Sequence, residues 1–363
     1  MKSAQPVPMA EPTERTAPAS QNTATSQNTA TSQKTMTSQD TMQAIVQRRY
    51  GTVPEEVLRL ERIPRPRPAA GEILVKVRAA GVDRGTWHMM AGQPYLMRLG
   101  LGFRGPRNRV PGLDVAGTVV ATGPGVTRFA AGDEVFGIAR GSFAEYAVAR
   151  EAKLARKPAA LSFAQAAALA VSGLTALQGL RDVGRLTTGQ KVLVIGASGG
   201  VGSYAVQLAK AFGAEVTGVC STAKTDLVHA IGANHVIDYT RADFADGHEH
   251  YDLILDIGGN TPLSRLRRAL TPRGTLVIAG GEGGKWTGMG RQLGALALSP
   301  LIRQRLTTFV STHRRQDLET LRQLTESGQV TPVIEQTCPL TEVPQAIRRL
   351  HAGQVRGKFA ITI

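Results

Sequence analysis

Cysteine is almost missing from this chain: its 363 residues include two, Cys220 and Cys338. Thiols so far apart build neither a disulfide framework nor a cysteine-based zinc site, and they fit a reducing cytoplasm. Long apolar runs are also lacking. The longest, around residues 295–301, stops at Pro300, so no membrane span is expected. The N-terminus has no apolar signal core, so export by that route is not expected. Acidic residues are scarce, 28 against 43 Lys and Arg, leaving a formal net charge of +15. Residues 1–41 contribute none of it, because Lys2, Arg15 and Lys34 balance Glu11, Glu14 and Asp40. The excess is spread over the rest, with clusters at Arg104, Arg107 and Arg109 and at Arg303 and Arg305. No nucleic-acid motif accompanies them, so no specific nucleic-acid partner is expected. The charge reads as a general attraction for anions.

What is present divides the chain into three. The first forty residues repeat a polar hexad beginning at Ser20, Ser26, Ser32 and Ser38, with almost nothing to bury. Residues 1–41 are expected to be a disordered low-complexity tail. From residue 42, short runs at 43–47, 72–79, 117–122, 134–138 and 143–148 alternate with turns, as in a mostly β domain. Near Ser162 the pattern turns helical, at 163–169 and 173–180, and from Lys191 strands alternate with helices through Gly280, as in a parallel sheet. The closing run, 358–363, reads as a strand that returns to the β domain.

The most specific motif lies at 191–210. An apolar strand at 192–195 enters a glycine-rich turn that opens an amphipathic helix. Gly196, Gly199 and Gly202, with Gly200 beside them, form a variant of the dinucleotide-binding fingerprint. Residues without Cβ let backbone N–H groups approach a pyrophosphate, and the helix N-terminus adds partial positive charge. The next strand, 215–221, ends in Cys220 and Ser221, followed by Thr222, Ala223 and Lys224. A site for NAD normally ends that strand in an acid that accepts from the ribose hydroxyls. Hydroxyls and an ammonium suit a 2′-phosphate instead, so NADPH is favoured over NADH. A solvated Lys224 in the first turn of the next helix is the bland alternative.

Several motifs now stand in one order: 71–77, Pro111-Gly-Leu-Asp-Val-Ala-Gly, Gly132-Asp-Glu-Val-Phe-Gly, Gly173-Leu-Thr-Ala, the 196–202 loop and Arg356-Gly-Lys-Phe. Together, over residues 43–363, they resemble the medium-chain dehydrogenase/reductase superfamily. The resemblance implies an α/β protein: a GroES-like β-barrel-type catalytic domain at 42–164 and 306–363, and a Rossmann doubly wound parallel-sheet domain at 165–305. The active site would lie in the cleft between them. Zinc-dependent members carry a cysteine and a histidine at the positions of Asp83 and Leu113, and a catalytic zinc needs about three protein ligands. The four-cysteine lobe is missing as well, since 97–110 hold Leu, Gly, Arg and Pro. The chain is therefore closer to the zinc-independent quinone oxidoreductase branch. Hydride transfer from NADPH to a quinone or an α,β-unsaturated carbonyl is the implied activity, with a hydrophobic small-molecule acceptor and a homodimer.

Carried over by position, Gly196, Ala197, Ser198, Gly199, Gly200, Val201 and Gly202 would hold the pyrophosphate, and Thr175 would approach the nicotinamide. Ser221 and Lys224 would meet the 2′-phosphate. Tyr239 would close over the adenosine phosphate or stand as a strand-edge aromatic. Arg356 and Lys358 would add positive charge near that pocket. Asp83, Trp87, His88 and Tyr95 form the candidate catalytic cluster. His88 has the intrinsic pKa of a general acid, though it reads equally as a packed helix residue. Asp83 stands where the branch usually has asparagine and would hold the nicotinamide ribose or orient water. The loop at 280–293, with Trp286 and Met289, reads as cover for an apolar acceptor or as a dimer contact. With Arg291, Arg303 and Arg305, it is also a candidate for peripheral membrane contact. Two other functions compete: an alcohol dehydrogenase or carbonyl reductase, and a low-turnover NADPH-binding regulator.

Overall fold

The strands of the two halves build three sheets among the described residues, the smallest an antiparallel pair of the first two strands. The computed structural model describes residues 40–280 and 289–363, so the hexad tract and Trp286 lie outside the described residues. In the first half, strands follow one another antiparallel: β1 (Thr41–Gln47), β2 (Leu58–Pro64), β3 (Glu72–Val82), β4 (Asp114–Thr122), β5 (Glu134–Ile138), β6 (Tyr146–Arg150) and β7 (Leu154–Arg156). In the second half lie β8 (Lys191–Ile195), β9 (Glu215–Cys220), β10 (His235–Asp238), β11 (Tyr251–Asp256), β12 (Leu270–Ile278) and β13 (Arg305–Thr308), then β14 (Ile334–Pro339) and β15 (Lys358–Thr362). The helices are α1 (Pro54–Val57), α2 (Arg84–Ala91), α3 (Arg98–Leu101), α4 (Phe163–Gln178), α5 (Gly200–Ala211), α6 (Thr225–Ala230), α7 (Leu263–Arg268), α8 (Gly290–Leu298), α9 (Arg315–Glu326) and α10 (Val343–His351).

A seven-stranded sheet runs β14-β15-β3-β4-β5-β7, with β6 also on β3. The closing strand does return: β15 pairs antiparallel with the last residues of β3, Ala79 to Val82. The six-stranded sheet runs β10-β9-β8-β11-β12-β13 and is parallel throughout. Its strand order reverses between β8 and β11, and ligands bind at the carboxyl ends of strands beside such a reversal. The 196–202 loop leaves β8 at that point. Strand β13 runs three residues past the boundary expected at 305.

Helix α4 joins the two halves. A capping box starts it, with Ser162 Oγ accepting the Gln165 N–H and Gln165 Oε1 accepting the Ser162 N–H. Ala166 to Ala170 are all buried, and small side chains let the helix lie close to β3, β4, β5 and β15 on one side and α5 and α9 on the other. The sequence suggests two short helices here; they form one because Ser172 and Gly173 remain helical, with Gly173 against Leu321. The expectation that no segment is long and apolar enough for a membrane needs correction, because 163–183 is both. Its window is 72% buried within the protein, as befits a central core helix.

Candidate active site

The glycine loop is shaped by backbone geometry that side chains would block. Gly196 turns the chain at φ +87°, and its N–H and that of Ala197 donate to the Val219 carbonyl at 3.1 Å. A Cβ on Gly202 would lie 2.1 Å from the Gly196 carbonyl oxygen, so only glycine lets α5 start so close to the turn. Gly199 caps α5 without a side-chain acceptor, which leaves first-turn N–H groups to a ligand. This is a cradle fit for a pyrophosphate. Ser198 is buried, and its carbonyl accepts the Gly357 N–H at 2.8 Å; Gly199 and Gly357 form a parallel bridge. The loop is thus fastened to the C-terminal segment.

Lys358 is not a surface cation beside the phosphates. Its ammonium is buried and donates to Asp114 Oδ2 at 3.0 Å and Ser172 Oγ at 3.1 Å. Asp114 Oδ1 accepts the Val171 N–H at 2.7 Å. The Lys358 stem passes beneath Gly200, where a Cβ would come within 2.8 Å of Cδ. This pair therefore ties β4, α4, β15 and the glycine loop together. Burial, the largest influence, raises the Asp114 carboxyl to about 6, and Lys358 opposes the rise.

At the far end of the loop, Ser221 follows β9, and Lys224 donates to the carbonyls of Gly353 and Val355 at 2.8 and 2.9 Å. It is therefore anchored rather than solvated. Burial lowers its pKa, while Glu335 pulls the other way. Arg356 pairs with both oxygens of Asp226 at 2.6 and 2.7 Å. The strand ends without an acid, yet the adjacent strand supplies one that sequence order hides. Asp238 on β10 is in register with Cys220, and Thr222 Oγ1 donates to it at 2.6 Å. The Thr222 hydrogen bond is the main cause of its lowered pKa. Tyr239 donates its N–H to the Cys220 carbonyl and leaves its ring exposed beside Ser221.

Of the four candidate catalytic residues, Trp87 and His88 are brought into ring contact. Asp83 caps α2, with Oδ1 accepting the Thr86 N–H at 2.9 Å, and its buried Oδ2 has no partner. Trp87 instead enters a core with Val343 and Ile347 and stacks on His351 at 3.9 Å, so it is not a substrate wall. His88 lies edge-on to Trp87, its Nδ1 3.1 Å from the Gln93 carbonyl. Burial lowers its pKa, and the Gln93 carbonyl opposes that shift. Tyr95 is held against the Arg98 guanidinium, which also covers Tyr50. These three are packed within the catalytic domain.

A different set meets at the C-terminal half of α4. Gln178 of α4 grips Thr312 by both ends, donating to its carbonyl at 2.7 Å and accepting its N–H at 2.9 Å. On one side of Thr312, Ser311 Oγ accepts from Thr175 Oγ1 at 3.2 Å. On the other, His313 is half-buried; burial and then Lys153 lower its pKa, and Asp83 opposes them. Ser311 and His313 escaped sequence reading because no motif precedes them. The one signal was the polar triplet Ser311-Thr312-His313, which follows Phe309 and Val310 past β13.

The zinc question turns on donors. Asp83 spends one oxygen as a cap, Leu113 packs against the core beside α4, and Asp114 is held by Lys358. Among the described residues, no three His, Cys, Asp or Glu side chains converge on a common point. The residues present do not fit a catalytic zinc. At the candidate membrane face, Arg291 turns inward to Asp256 at 2.6 Å and Arg305 to the Val183 carbonyl. Two of that patch's three arginines are therefore spoken for.

Residues 69–159 match the family described as alcohol dehydrogenase GroES-like domain, and residues 231–361 the one described as zinc-binding dehydrogenase. A chloroplast envelope quinone oxidoreductase homolog of Arabidopsis thaliana is 32% identical, over 82% of this chain and 92% of its own. A 2-methylene-furan-3-one reductase of Solanum lycopersicum is 33% identical, over 86% and 76%. Among solved structures, the quinone oxidoreductase from Coxiella burnetii superposes with a TM-score of 0.79 at 27% identity, covering 89% of this chain and 99% of the other.

Proposed function

The chain belongs to the quinone oxidoreductase-like branch of the medium-chain dehydrogenase/reductase superfamily, and on that premise we propose that it reduces quinones or α,β-unsaturated carbonyls with NADPH and without zinc. The observation that carries this reading is the glycine cradle at the strand-order reversal, with Lys224 anchored at the end of β9. Bound there, NADPH supplies a hydride, and with it both electrons of the reduction.

The chain's own residues bind and orient. First-turn N–H groups of α5, from Gly200, Val201 and Gly202, take the pyrophosphate. Ser221 and the remaining Lys224 donor take the 2′-phosphate, with Tyr239 beside them. Asp238 bears a charge that would repel it, but Thr222 and Thr240 occupy its oxygens. Thr175 positions the nicotinamide, and the free Oδ2 of Asp83 accepts from its ribose. His313, whose pKa burial lowers, donates an N–H hydrogen bond to the acceptor oxygen as charge develops there. Solvent supplies the proton that completes the product. Asp83 and Leu113, in place of thiolate and imidazole, support direct delivery without a metal.

A homodimer is part of the proposal. Among the described residues, strand β13 is the last of its sheet, and Leu293, Leu296, Leu301 and Val310 are exposed. The test is NADPH oxidation by chelator-treated protein against benzoquinones, naphthoquinones and short enones. Turnover with any of these supports the reading. NADPH binding without turnover favours the regulator, and zinc-dependent alcohol oxidation would replace the reading with an alcohol dehydrogenase.

A further inference from the structure

Between Asp83 and Asp114 there is no carboxylate and there are five arginines: Arg84, Arg98, Arg104, Arg107 and Arg109. Two serve the fold. Arg84 donates to the carbonyls of Leu350 and His351, and Arg98 lies between Tyr50 and Tyr95 while donating to the Gly92 carbonyl at 2.9 Å. The other three are exposed. Beside them stand four exposed apolar side chains: Leu96 at 52%, Met97, Leu99 at 68% and Phe103 at 78%. Leu96 and Leu99 are three residues apart on the helical turns of 95–101, and Phe103 lies just past Gly102, whose φ of +119° ends the helix.

The segment is built to hold these groups outward. Tyr50 donates its hydroxyl to the Gly102 carbonyl at 2.7 Å, the Arg107 N–H bonds the Leu101 carbonyl at 2.8 Å, and the Arg98 clamp fixes the start of α3. Leaving leucine and phenylalanine in water gains nothing for the folded chain. Exposed apolar side chains beside exposed arginines pair the two attractions that hold a segment at a bilayer interface, buried apolar area and charge toward anionic lipid. A second copy of the chain is a poor occupant, because it would set the same arginines against one another.

We propose that residues 96–109 form a docking surface for a bilayer rich in anionic phospholipid: Leu96, Leu99 and Phe103 enter the headgroup layer, and Arg104, Arg107 and Arg109 meet lipid phosphates. This goes beyond the reductase reading and does not depend on it, because vesicle binding is read without turnover.

The experiment is co-sedimentation of the full chain with phosphatidylcholine vesicles, with and without phosphatidylglycerol. Binding is expected only when phosphatidylglycerol is present, and it weakens with added salt. Combined substitution of Arg104, Arg107 and Arg109 by Gln lowers the partition coefficient on the order of 100-fold, at roughly fivefold for each charge. Phe103→Ser and Leu99→Ser each lower it roughly tenfold and keep the salt dependence. An unchanged melting temperature shows that these exposed substitutions leave the fold intact. The proposal is overturned by no binding to phosphatidylglycerol vesicles, by equal binding to pure phosphatidylcholine, or by binding that none of the variants changes. Binding to a short DNA duplex as tight as to vesicles, and insensitive to Phe103→Ser, would overturn it in favour of a general polyanion surface.

Discussion

Replacing Lys358 with methionine removes one charge from the best-buried ion pair and keeps the stem that supports Gly200. Asp114 is then left fully buried, with the Val171 N–H as its remaining partner. Breaking a buried pair from one side costs about 3–5 kcal/mol, because an uncompensated charge remains. A folded domain typically has about 5–15 kcal/mol in total, so the variant folds but unfolds at much lower urea. The loss also depends on pH in a defined direction. A carboxyl raised to about 6 favours the fold while protonated and loses that contribution as pH climbs through its folded value. Without Lys358 it rises further, so the deficit of Lys358→Met is greatest above neutrality and shrinks as the solution is made mildly acidic. Adding Asp114→Asn recovers part of the loss. Urea unfolding of wild type, both single variants and the double variant reads all of this. A deficit below about 1 kcal/mol, or one that does not change with pH, would refute the reasoning.

Three further outcomes follow from the same geometry. Lys224→Ala raises the KM for NADPH roughly tenfold or more and leaves NADH nearly unchanged, since one charge-assisted hydrogen bond is worth about 1.5–3 kcal/mol; equal loss with both cofactors contradicts the assignment. Asp83→Asn keeps the Oδ1 cap and so changes stability by less than about 1 kcal/mol, while kcat/KM falls because the free Oδ2 becomes an amide; steady-state kinetics beside thermal melts separate the two. Gly202→Ala pushes a methyl against the Gly196 carbonyl and removes measurable NADPH binding by fluorescence titration, whereas wild-type affinity would disprove the cradle.

What could be read in the sequence was local or ordered. The β8 run, the glycine turn and α5 are contiguous, and their motif carries its own physical reason, so the parallel sheet and its ligand end were legible. The strand at 358–363 was legible as a short, mostly apolar run. The fate of side chains was not. On α2 successive residues turn by about 100°, so Asp83 caps the helix while Trp87 faces α10, and neighbours in sequence part company. Lys358 meets Asp114 across 244 positions, and Asp238 reaches Cys220 through strand register. Neither relation leaves a spacing pattern. His313 enters the proposed site through a long-range contact with no motif, the grip of Gln178 on the residue beside it.

Metal-free hydride delivery from NADPH is read by single-turnover reduction with cofactor carrying deuterium at both C4 positions. The chelator-treated protein, mixed with a short enone, is predicted to place one deuterium on the β-carbon as the NADPH is consumed, at a rate unaffected by added zinc. Absence of deuterium in the product, or a reaction that starts only when zinc is restored, would contradict it.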